Sequence, residues 1–256
     1  MREAPLDLIL YYIQRARRIL VFSHVGADGD AYGSALGLMW LLREEGKEIE
    51  VSFEEPLLPI FSFLPGAGQI ADRAVTDHDL IIAVDGSDEG RYGANFSSLY
   101  ASVRRPVIIG IDHHKTNTRF ADVNWVDSDY AATAQMIHVL ARHAGWPVAA
   151  DAATCLATGC VTDTNAFSTD HTTPELLETV ADLMRAGAPL SRIIRHSMNT
   201  RSQTDGRLWG HILSTIEIED HVAWATSRAV DRRAVGAQES DGSGIATFLR
   251  NLIGIG

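Results

Sequence analysis

The sequence predicts an α/β fold in which a mostly parallel sheet is flanked by helices and is followed by a smaller C-terminal α/β domain. Four short apolar runs, rich in β-branched residues, carry the prediction: residues 19–22, 49–53, 80–84 and 107–111. Several are apolar on both faces, which is typical of strands lying between two layers of helices. Between the first two runs, residues 34–45 repeat leucine and methionine at helical spacing, and Gly46 ends the pattern. A strand, a helix and a strand in this order indicate a parallel pair.

The second half of the chain is predicted to be more helical. Residues 131–144 and 151–161 form two apolar helical patterns, and a third helix begins with Thr173 as N-cap and Pro174 at its first position and runs to Gly187. The polar stretch 199–206 is interpreted as a linker. Beyond it we expect a helix at 208–216, a strand at 221–226 and a helix at 242–252.

These patterns predict a first domain at residues 1–198, a linker at 199–206 and a partial second domain at 207–256. About 50 residues is small for an independent domain, and the last five residues are apolar with no helix cap. We therefore expect the chain to stop inside its second domain.

Composition excludes several functional classes. Of 256 residues, 46% are hydrophobic, which is enough for a sizeable core, and 22 basic against 33 acidic residues give a net charge of −11. This charge argues against a basic surface that binds long nucleic acid through its phosphates. Cys155 and Cys160 lie in an apolar helical pattern and are interpreted as core residues. No run approaches the roughly 20 apolar residues of a membrane span and no signal peptide is evident, so we expect a soluble, cytoplasmic protein with no membrane partner.

Polar residues with metal-ligand chemistry follow three of the predicted strands. They are His24, Asp28 and Asp30 after the first strand, Asp85 after the third, and Asp112, His113 and His114 after the fourth. Ligands of open α/β sheets gather at the carboxyl ends of strands, so these segments are expected to converge. Carboxylate oxygens with imidazole nitrogens favour Mn²⁺-like ions, whereas thiolates would favour structural zinc.

Each candidate has a role and an alternative. Two ions roughly 3.5–4 Å apart require a bridging ligand, and Asp85, alone at its strand end, is the candidate. One of His113 and His114 would ligate and the other would face substrate, because neighbouring side chains on an extended backbone point to opposite sides. Asp163 could complete the second metal's coordination, or it could be a cap or turn residue.

The other candidates stay open in the same way. The first cluster could be an Asp-Gly-Asp turn beside an unrelated histidine. Arg91 and Lys115 are candidate phosphate contacts, and the alternatives are a structural ion pair for Arg91 and a solvated surface charge for Lys115.

These motifs in this order resemble the DHH phosphoesterase superfamily, which includes RecJ-type exonucleases and manganese pyrophosphatases. Closer details resemble its bacterial nanoRNase (oligoribonuclease) and pAp phosphatase branch. Those details are DGDAYGS at 28–34, VDGSD at 84–88 with Arg91, DHHKTN at 112–117 and GCVTDT at 159–164, and the resemblance spans roughly residues 5–255.

The resemblance implies a dinuclear centre. In it one metal is held by His24 and Asp28, the other by Asp30, His113 and Asp163, and Asp85 bridges them. It further implies that His114 lies near the reacting phosphate and that Asp112 orients its neighbours. Four aspartate ligands would then set −4 against the +4 of two divalent ions, so an incoming phosphate would no longer be repelled.

The sequence departs from the family pattern in three ways. Gly26-Ala27 stands where relatives often have Asn-Pro, which should change the stiffness of the loop more than its ligands. Gln135 stands where glutamate is common. The Gly-Gly-Gly-His segment with which the family's C-terminal domain helps to hold substrate does not occur in this sequence, and Gly242-Ser243-Gly244 lacks the histidine.

The sequence thus predicts a Mn²⁺-dependent phosphodiesterase or phosphatase with two divalent ions. It would act on short oligonucleotides, on pAp as a 3′(2′),5′-bisphosphate nucleotidase, or on linear dinucleotides. The alternatives are a pyrophosphatase or polyphosphatase on the same metal centre, or a nucleotide-binding module without turnover. The oligomeric state is not fixed, and a homodimer stays open.

Overall fold

The computed structural model describes residues 5–71, 77–199, 202–237, 242, 244–250 and 252. The chain divides into two compact units, residues 1–199 and 200–256. Within the described ranges, no helix has both the length and the apolar character that crossing a membrane requires.

The first unit is built on a five-stranded sheet in which every neighbouring pair is parallel. The strands are β1 (Arg18–Phe22), β2 (Glu48–Ser52), β3 (Leu80–Val84), β4 (Val107–Asp112) and β5 (Val123–Val126), in the order β2-β1-β3-β4-β5. The four predicted strands and the α/β class are confirmed. The edge strand β5 was not predicted.

Helices cover both faces of the sheet, as the doubly apolar strands indicate. Alternate strand residues such as Val21 and Ile82 belong to the larger core, with residues of α1 (Leu6–Arg15), α2 (Gly29–Glu44), α4 (Thr133–Ala144) and α5 (Ala150–Asp163). Residues of the opposite face, such as Phe22 and Ile81, pack with α3 (Gly93–Tyr100). The sheet is therefore buried between two layers.

Glycines bring α2 and α5 close together. A Cβ atom on Gly33 would lie 2.5 Å from the carbonyl oxygen of Cys155, and one on Gly37 would lie 2.5 Å from the Leu156 side chain. Gly29, four residues before Gly33, would meet Thr162 at 2.4 Å. Because residues four apart share a helix face, Gly29, Gly33 and Gly37 form a glycine stripe along α2. This stripe allows α5 to lie against the backbone of α2.

The remaining helices of the first unit end near the unit boundary. Helix α6 (Pro174–Arg185) begins as predicted, with the Thr173 hydroxyl accepting from the backbone N–H of Leu176 at 3.2 Å. Helix α7 (Leu190–Ile194) follows, and a π-helical turn at Arg195–Asn199 continues from it.

The second unit contains helices α8 (Gln203–Leu213), α9 (Ala229–Val235) and α10 (Ile245–Arg250) and an antiparallel pair of strands, β6 (Glu217–Glu219) and β7 (Val222–Trp224). The interpretation of 199–206 as a linker is wrong from Gln203 onward, because α8 begins there with the Ser202 hydroxyl accepting from the backbone N–H of Asp205 at 2.9 Å. Residues 200 and 201 of that segment lie outside the described residues, as do Ser243 and 253–256.

Candidate metal centre

The candidate side chains meet at the carboxyl ends of β1, β3 and β4. The chain leaves β1 toward β2 on one side and reaches β3 on the other side, so the point where strand order reverses lies between β1 and β3. A crevice forms outside the strand ends at such a switch point. His24 and Asp28 follow β1, Asp85 follows β3, and His113 and His114 follow β4.

The loop after β1 aims His24 at this crevice. Its Nδ1 lies 2.9 Å from the carbonyl oxygen of Val25, and that hydrogen bond leaves Nε2 as the nitrogen with a free lone pair. Nε2 lies 3.6 Å from Asp85 Oδ2 and 4.0 Å from Asp28 Oδ1. Gly26 has φ 69°, a left-handed conformation that glycine adopts without strain, and its N–H donates to Glu55 at 2.7 Å.

Asp28 and Asp30 begin α2 and have different environments. Asp28 is the N-cap, and its Oδ1 accepts from the backbone N–H groups of Asp30 and Ala31 at 3.0 and 3.1 Å. Asp30 is buried and accepts from the backbone N–H of Thr133 at 2.6 Å, that of Ala134 at 3.0 Å and the Ser34 hydroxyl at 3.0 Å. Its carboxylate is therefore fixed by α2 and by the first turn of α4.

Glycine at position 159 makes room for the Asp30 carboxylate. A Cβ atom on Gly159 would lie 2.4 Å from Asp30 Oδ1 and 2.6 Å from the Cβ of Ala134. Any larger residue there would displace the carboxylate or one of the helices that hold it.

Asp85 lies between His24 and His113. Its Oδ2 is 3.6 Å from His24 Nε2 and its Oδ1 is 3.6 Å from His113 Nε2, while the Thr133 hydroxyl donates to Oδ1 at 2.9 Å. Asp85 is buried, and its φ of 61° lies in the left-handed region that non-glycine residues rarely adopt. The strained backbone turns the chain at the end of β3 so that one carboxylate faces both sides of the crevice.

His113 supplies an independent indication that the site suits a cation. Its Nδ1 lies 3.3 Å from the carbonyl oxygen of Tyr130, and its buried Nε2 has no hydrogen-bond partner. Around Nε2 lie carboxylate oxygens of Asp163, Asp85 and Asp30 at 3.2, 3.6 and 4.0 Å. A buried nitrogen without a partner is costly, and a divalent cation among these oxygens would satisfy it. The donor set thus fits a hard or borderline divalent ion.

The same residues form two neighbouring ligand groups, and Asp85 Oδ1 of one lies 3.6 Å from His113 Nε2 of the other. Ligand atoms lie within 4.8 Å of one another in the group His24, Asp28 and Asp85 and in the group Asp30, His113 and Asp163. A further combination joins Asp85 with His113 and His114. Each of the first two groups could hold a metal ion.

His114 is held differently from His113. Its Nδ1 lies 2.7 Å from Asp112 Oδ1, and Asp112 Oδ2 accepts from the side-chain amide of Asn117 at 2.6 Å. His114 lines a cavity of about 270 Å³ with Asp85, Ser87, Arg91 and Thr116. The Asp112 hydrogen bond orients the ring and leaves Nε2 for contacts in this cavity.

Burial and crowding of like charges dominate the electrostatics. Burial raises the pKa of Asp85 well above its usual value, and the neighbouring carboxylates Asp30, Asp28, Asp163 and Asp112 raise it further. Burial, followed by repulsion from Asp30 and Asp28, raises the pKa of Asp163 to about 8. Without cations, these carboxylates cannot all be ionised together at neutral pH, which is the behaviour of a site built for positive charge.

Asp112 and His114 shift in opposite directions. Burial raises the pKa of Asp112, but hydrogen bonds from His114 and Asn117 outweigh burial, so the net pKa is lowered. The hydrogen bond to Asp112 raises the pKa of His114 above its usual value. The pair therefore favours an ionised Asp112 and a protonated His114.

The two predicted phosphate contacts line different cavities. Arg91 lines the small cavity beside His114, whereas Lys115 lines a larger cleft of about 770 Å³ together with Tyr130 and Gln135. Its wall also carries several acidic residues: Asp127, Asp129, Asp170, Glu175 and Glu178.

Thr133 and Ser34 contact predicted ligands and Asn117 contacts Asp112, but none of the three was assigned a role from the sequence. Thr133 lies in the first turn of the helix predicted at 131–144, where threonine ordinarily indicates a cap, so its contacts with Asp30 and Asp85 carry no sequence signal. Ser34 lies four residues after Asp30 on α2, and this spacing could have indicated their contact.

Comparisons with known proteins agree with this geometry. Residues 18–160 match the model of the DHH family, N-terminal domain. The chain is 33% identical over 248 residues to the bifunctional oligoribonuclease and PAP phosphatase NrnA of Thermus thermophilus, covering 91% of this chain and 72% of that protein. It is 27% identical over 241 residues to the protein of the same name from Bacillus subtilis, covering 93% and 75%.

Structural comparison gives the same fold. An exopolyphosphatase-related protein from Bacteroides fragilis superposes with a TM-score of 0.92 at 24% identity, covering 98% of this chain and 77% of that one. The family match spans more than half of the chain, and it includes five of the six predicted metal ligands. The chain therefore belongs to the DHH family and is a phosphoesterase, a hydrolase of phosphate esters.

Proposed function

We propose that this phosphoesterase depends on two divalent ions, Mn²⁺ in particular, and hydrolyses short oligonucleotides, pAp or linear dinucleotides. The observation that carries the proposal is the buried, partnerless Nε2 of His113, which lies within 4.0 Å of oxygens from Asp30, Asp85 and Asp163. His24 faces the other oxygen of Asp85. Two ligand groups with the Asp85 carboxylate between them suit a pair of ions.

The ligands divide in the way that the two groups suggest. His24 and Asp28 would hold one ion, Asp30, His113 and Asp163 would hold the other, and Asp85 would bridge them. When bound, the ions supply an activated water and neutralise charge on the phosphoryl oxygens. The four carboxylates balance the four positive charges, which removes the repulsion an anionic substrate would otherwise meet.

His114 would hold or donate a proton during the reaction. Asp112 holds its Nδ1, so the proton that moves is the one on Nε2. The hydrogen bond to Asp112 raises the pKa of His114 and so favours keeping that proton on the ring, from which it can be given to the leaving oxygen or held against a phosphoryl oxygen. Arg91, in the same cavity, would bind the phosphate through its guanidinium.

Substrate size is argued from charge and from the relatives. A net charge of −11 gives long nucleic acid little to bind, so the metal centre itself must attract the phosphate. The curated relatives from Thermus thermophilus and Bacillus subtilis are named for oligoribonuclease and PAP phosphatase activity. Short nucleotides are therefore the proposed substrates.

The test is to measure product release by the purified chain, with and without added Mn²⁺. The substrates are a diribonucleotide, pAp and pyrophosphate. We expect mononucleotide from the first and inorganic phosphate from the second, both dependent on Mn²⁺ and abolished by EDTA. Turnover of pyrophosphate alone would replace the proposal with a pyrophosphatase, and nucleotide binding with no product would favour a binding module.

A further inference from the structure

Thr133, the first residue of α4, contacts one carboxylate from each of the two ligand groups. Its side-chain hydroxyl donates to Asp85 Oδ1 at 2.9 Å, and its backbone N–H donates to Asp30 Oδ2 at 2.6 Å. The residue is completely buried. One residue therefore holds two carboxylates, one in the first turn of α2 and one at the end of β3, that are 55 positions apart in the sequence.

The rest of the first turn of α4 strengthens this arrangement. The backbone N–H of Ala134 donates to Asp30 Oδ1 at 3.0 Å, so both oxygens of that carboxylate accept from the start of the helix. Backbone N–H groups at a helix start have no partner within the helix, and the helix dipole favours negative charge there. Asp30 thus has little rotational freedom.

The Thr133 hydroxyl restricts rotation of the Asp85 carboxylate, as the backbone N–H groups restrict rotation of the Asp30 carboxylate. It binds Oδ1, the oxygen that lies 3.6 Å from His113, and Oδ2 faces His24 at 3.6 Å. A carboxylate that bridges two ions must keep both oxygens in fixed directions, and rotation of the group would change the distance that it spans.

We infer that Thr133 is a positioning residue that sets the spacing of the two metal positions, through its hydroxyl on Asp85 and its amide on Asp30. The inference rests on the proposed two-metal function. It assigns to the hydroxyl an effect on the pairing of the ions and on the reaction they promote, separate from its part in folding. Outer partners of metal ligands commonly change metal affinity or activity by about 10- to 100-fold.

The experiment compares Thr133→Val, which replaces the hydroxyl with a methyl group of similar size, with the wild-type chain. Thr133→Ser and Thr133→Ala form a second pair that differs only in the hydroxyl. Thr158→Val is the matched control, since Thr158 is equally buried and its hydroxyl donates only to the carbonyl oxygen of Thr154 in its own helix, at 2.8 Å. The metal-free proteins are titrated with Mn²⁺ by calorimetry, and kcat and KM are measured on pAp.

We expect Thr133→Val to bind the second Mn²⁺ at least tenfold more weakly and to lose more in kcat than in KM. Thr133→Ser should restore most of both, whereas Thr133→Ala should not, and Thr158→Val should match the wild type. Thr133→Val with wild-type Mn²⁺ affinities and kcat would overturn the inference. If that variant does not fold, equal behaviour of the serine and alanine variants overturns it instead.

The outcomes separate this inference from the proposed function. A wild-type chain that binds no pair of Mn²⁺ ions would contradict the function itself. A wild-type chain that binds two ions and hydrolyses pAp, beside a Thr133→Val variant that does the same, would remove only the positioning role.

Discussion

At the scale of single residues, the position of the Asp85 carboxylate is held at a cost in stability. Its backbone lies in the left-handed region at φ 61°, a conformation that costs roughly 1–2 kcal/mol for a residue with a side chain. Its carboxylate is buried among four other carboxylates that raise its pKa. The backbone conformation opposes folding at every pH, and the raised pKa opposes folding of the metal-free chain above the pH at which an unfolded aspartate ionises.

Asp85→Asn should therefore stabilise the metal-free protein while removing its response to metal. Asparagine tolerates the left-handed region and keeps an oxygen for the Thr133 hydroxyl, but it carries no charge. We expect the melting temperature without metal at pH 7.5 to stay equal or rise, and the increase caused by Mn²⁺ to disappear. Differential scanning fluorimetry with and without Mn²⁺ measures both. Asp170→Asn, at an exposed position outside the ligand groups, is the control. An Asp85→Asn variant whose melting temperature responds to Mn²⁺ like that of the wild type would contradict the bridging role.

His138 offers a residue-scale prediction outside the ligand groups. It is buried in α4, its Nδ1 has no hydrogen-bond partner, and burial lowers its pKa. Between the lowered pKa and the unfolded value near 6.5, the unfolded chain binds more protons, so stability rises with pH and is lost as pH falls through this window. Each pH unit of lowering corresponds to about 1.4 kcal/mol.

His138→Leu removes this titration. We expect the melting temperature of the wild type to fall more than that of His138→Leu between pH 7 and pH 5.5. His171→Gln changes an exposed histidine and should keep the wild-type dependence. Parallel pH curves for the wild type and His138→Leu would show that His138 does not titrate on unfolding.

The sequence predicted the metal-ligand candidates better than the residues that hydrogen-bond to them. Histidine and aspartate after apolar strands are visible as letters, and the structure brings all six predicted ligands into two adjoining groups. Thr133 was missed because its hydrogen bonds join segments 48 and 103 residues apart. Such contacts depend on how α4 approaches the sheet, which no local pattern contains.

At the scale of elements, the contact between α2 and α5 determines the geometry of the centre. Asp30 lies in the first turn of α2 and Asp163 is the last residue of α5. Gly29, Gly33 and Gly37 let the two helices approach, so helix separation and ligand separation are linked. A change in the stripe should therefore affect metal binding as well as stability.

Gly33→Ala tests this link. The added Cβ would lie 2.5 Å from the Cys155 carbonyl oxygen and 2.8 Å from the Gly159 nitrogen, and backbone atoms cannot move aside as a flexible side chain can. We expect a loss of about 1–3 kcal/mol in the free energy of unfolding, measured in urea, and weaker Mn²⁺ binding in calorimetry. Gly210→Ala is the control, because this position of α8 is exposed and a Cβ there meets nothing within 4 Å. It should be neutral or stabilise by up to about 1 kcal/mol, and a Gly33→Ala variant as stable as this control would refute the close-contact argument.

Elements were predictable where their patterns were long or doubly apolar. β3 was predicted residue for residue because all five of its residues are apolar and buried. β5 was missed because it has four residues and its burial alternates at the edge of the sheet. The start of α8 was mistaken for a linker because its first turn is polar, although Ser202 three residues before Asp205 is a capping pattern.

At the scale of the whole molecule, net charge complicates any measurement of metal binding. The chain carries −11, so added salt of any kind reduces its self-repulsion and can stabilise it. The acidic ligand groups are a concentrated part of that charge, and two of their carboxylates, Asp30 and Asp85, are buried, where screening by salt is weak. A specific metal effect must therefore be separated from general screening by holding ionic strength constant.

Mn²⁺ should raise the melting temperature of the chain beyond the effect of matched ionic strength. Free Mn²⁺ at about 100 times its dissociation constant would add about 2.7 kcal/mol for each site, and about 2–4 °C per kcal/mol is typical at 150–250 residues. We expect a rise of about 5–10 °C per occupied site, reversed by EDTA, and little change when NaCl replaces MnCl₂ at equal ionic strength. Equal shifts from the two salts would mean that the carboxylates respond only to screening, and the pair of ligand groups would then have to be explained without a bound ion.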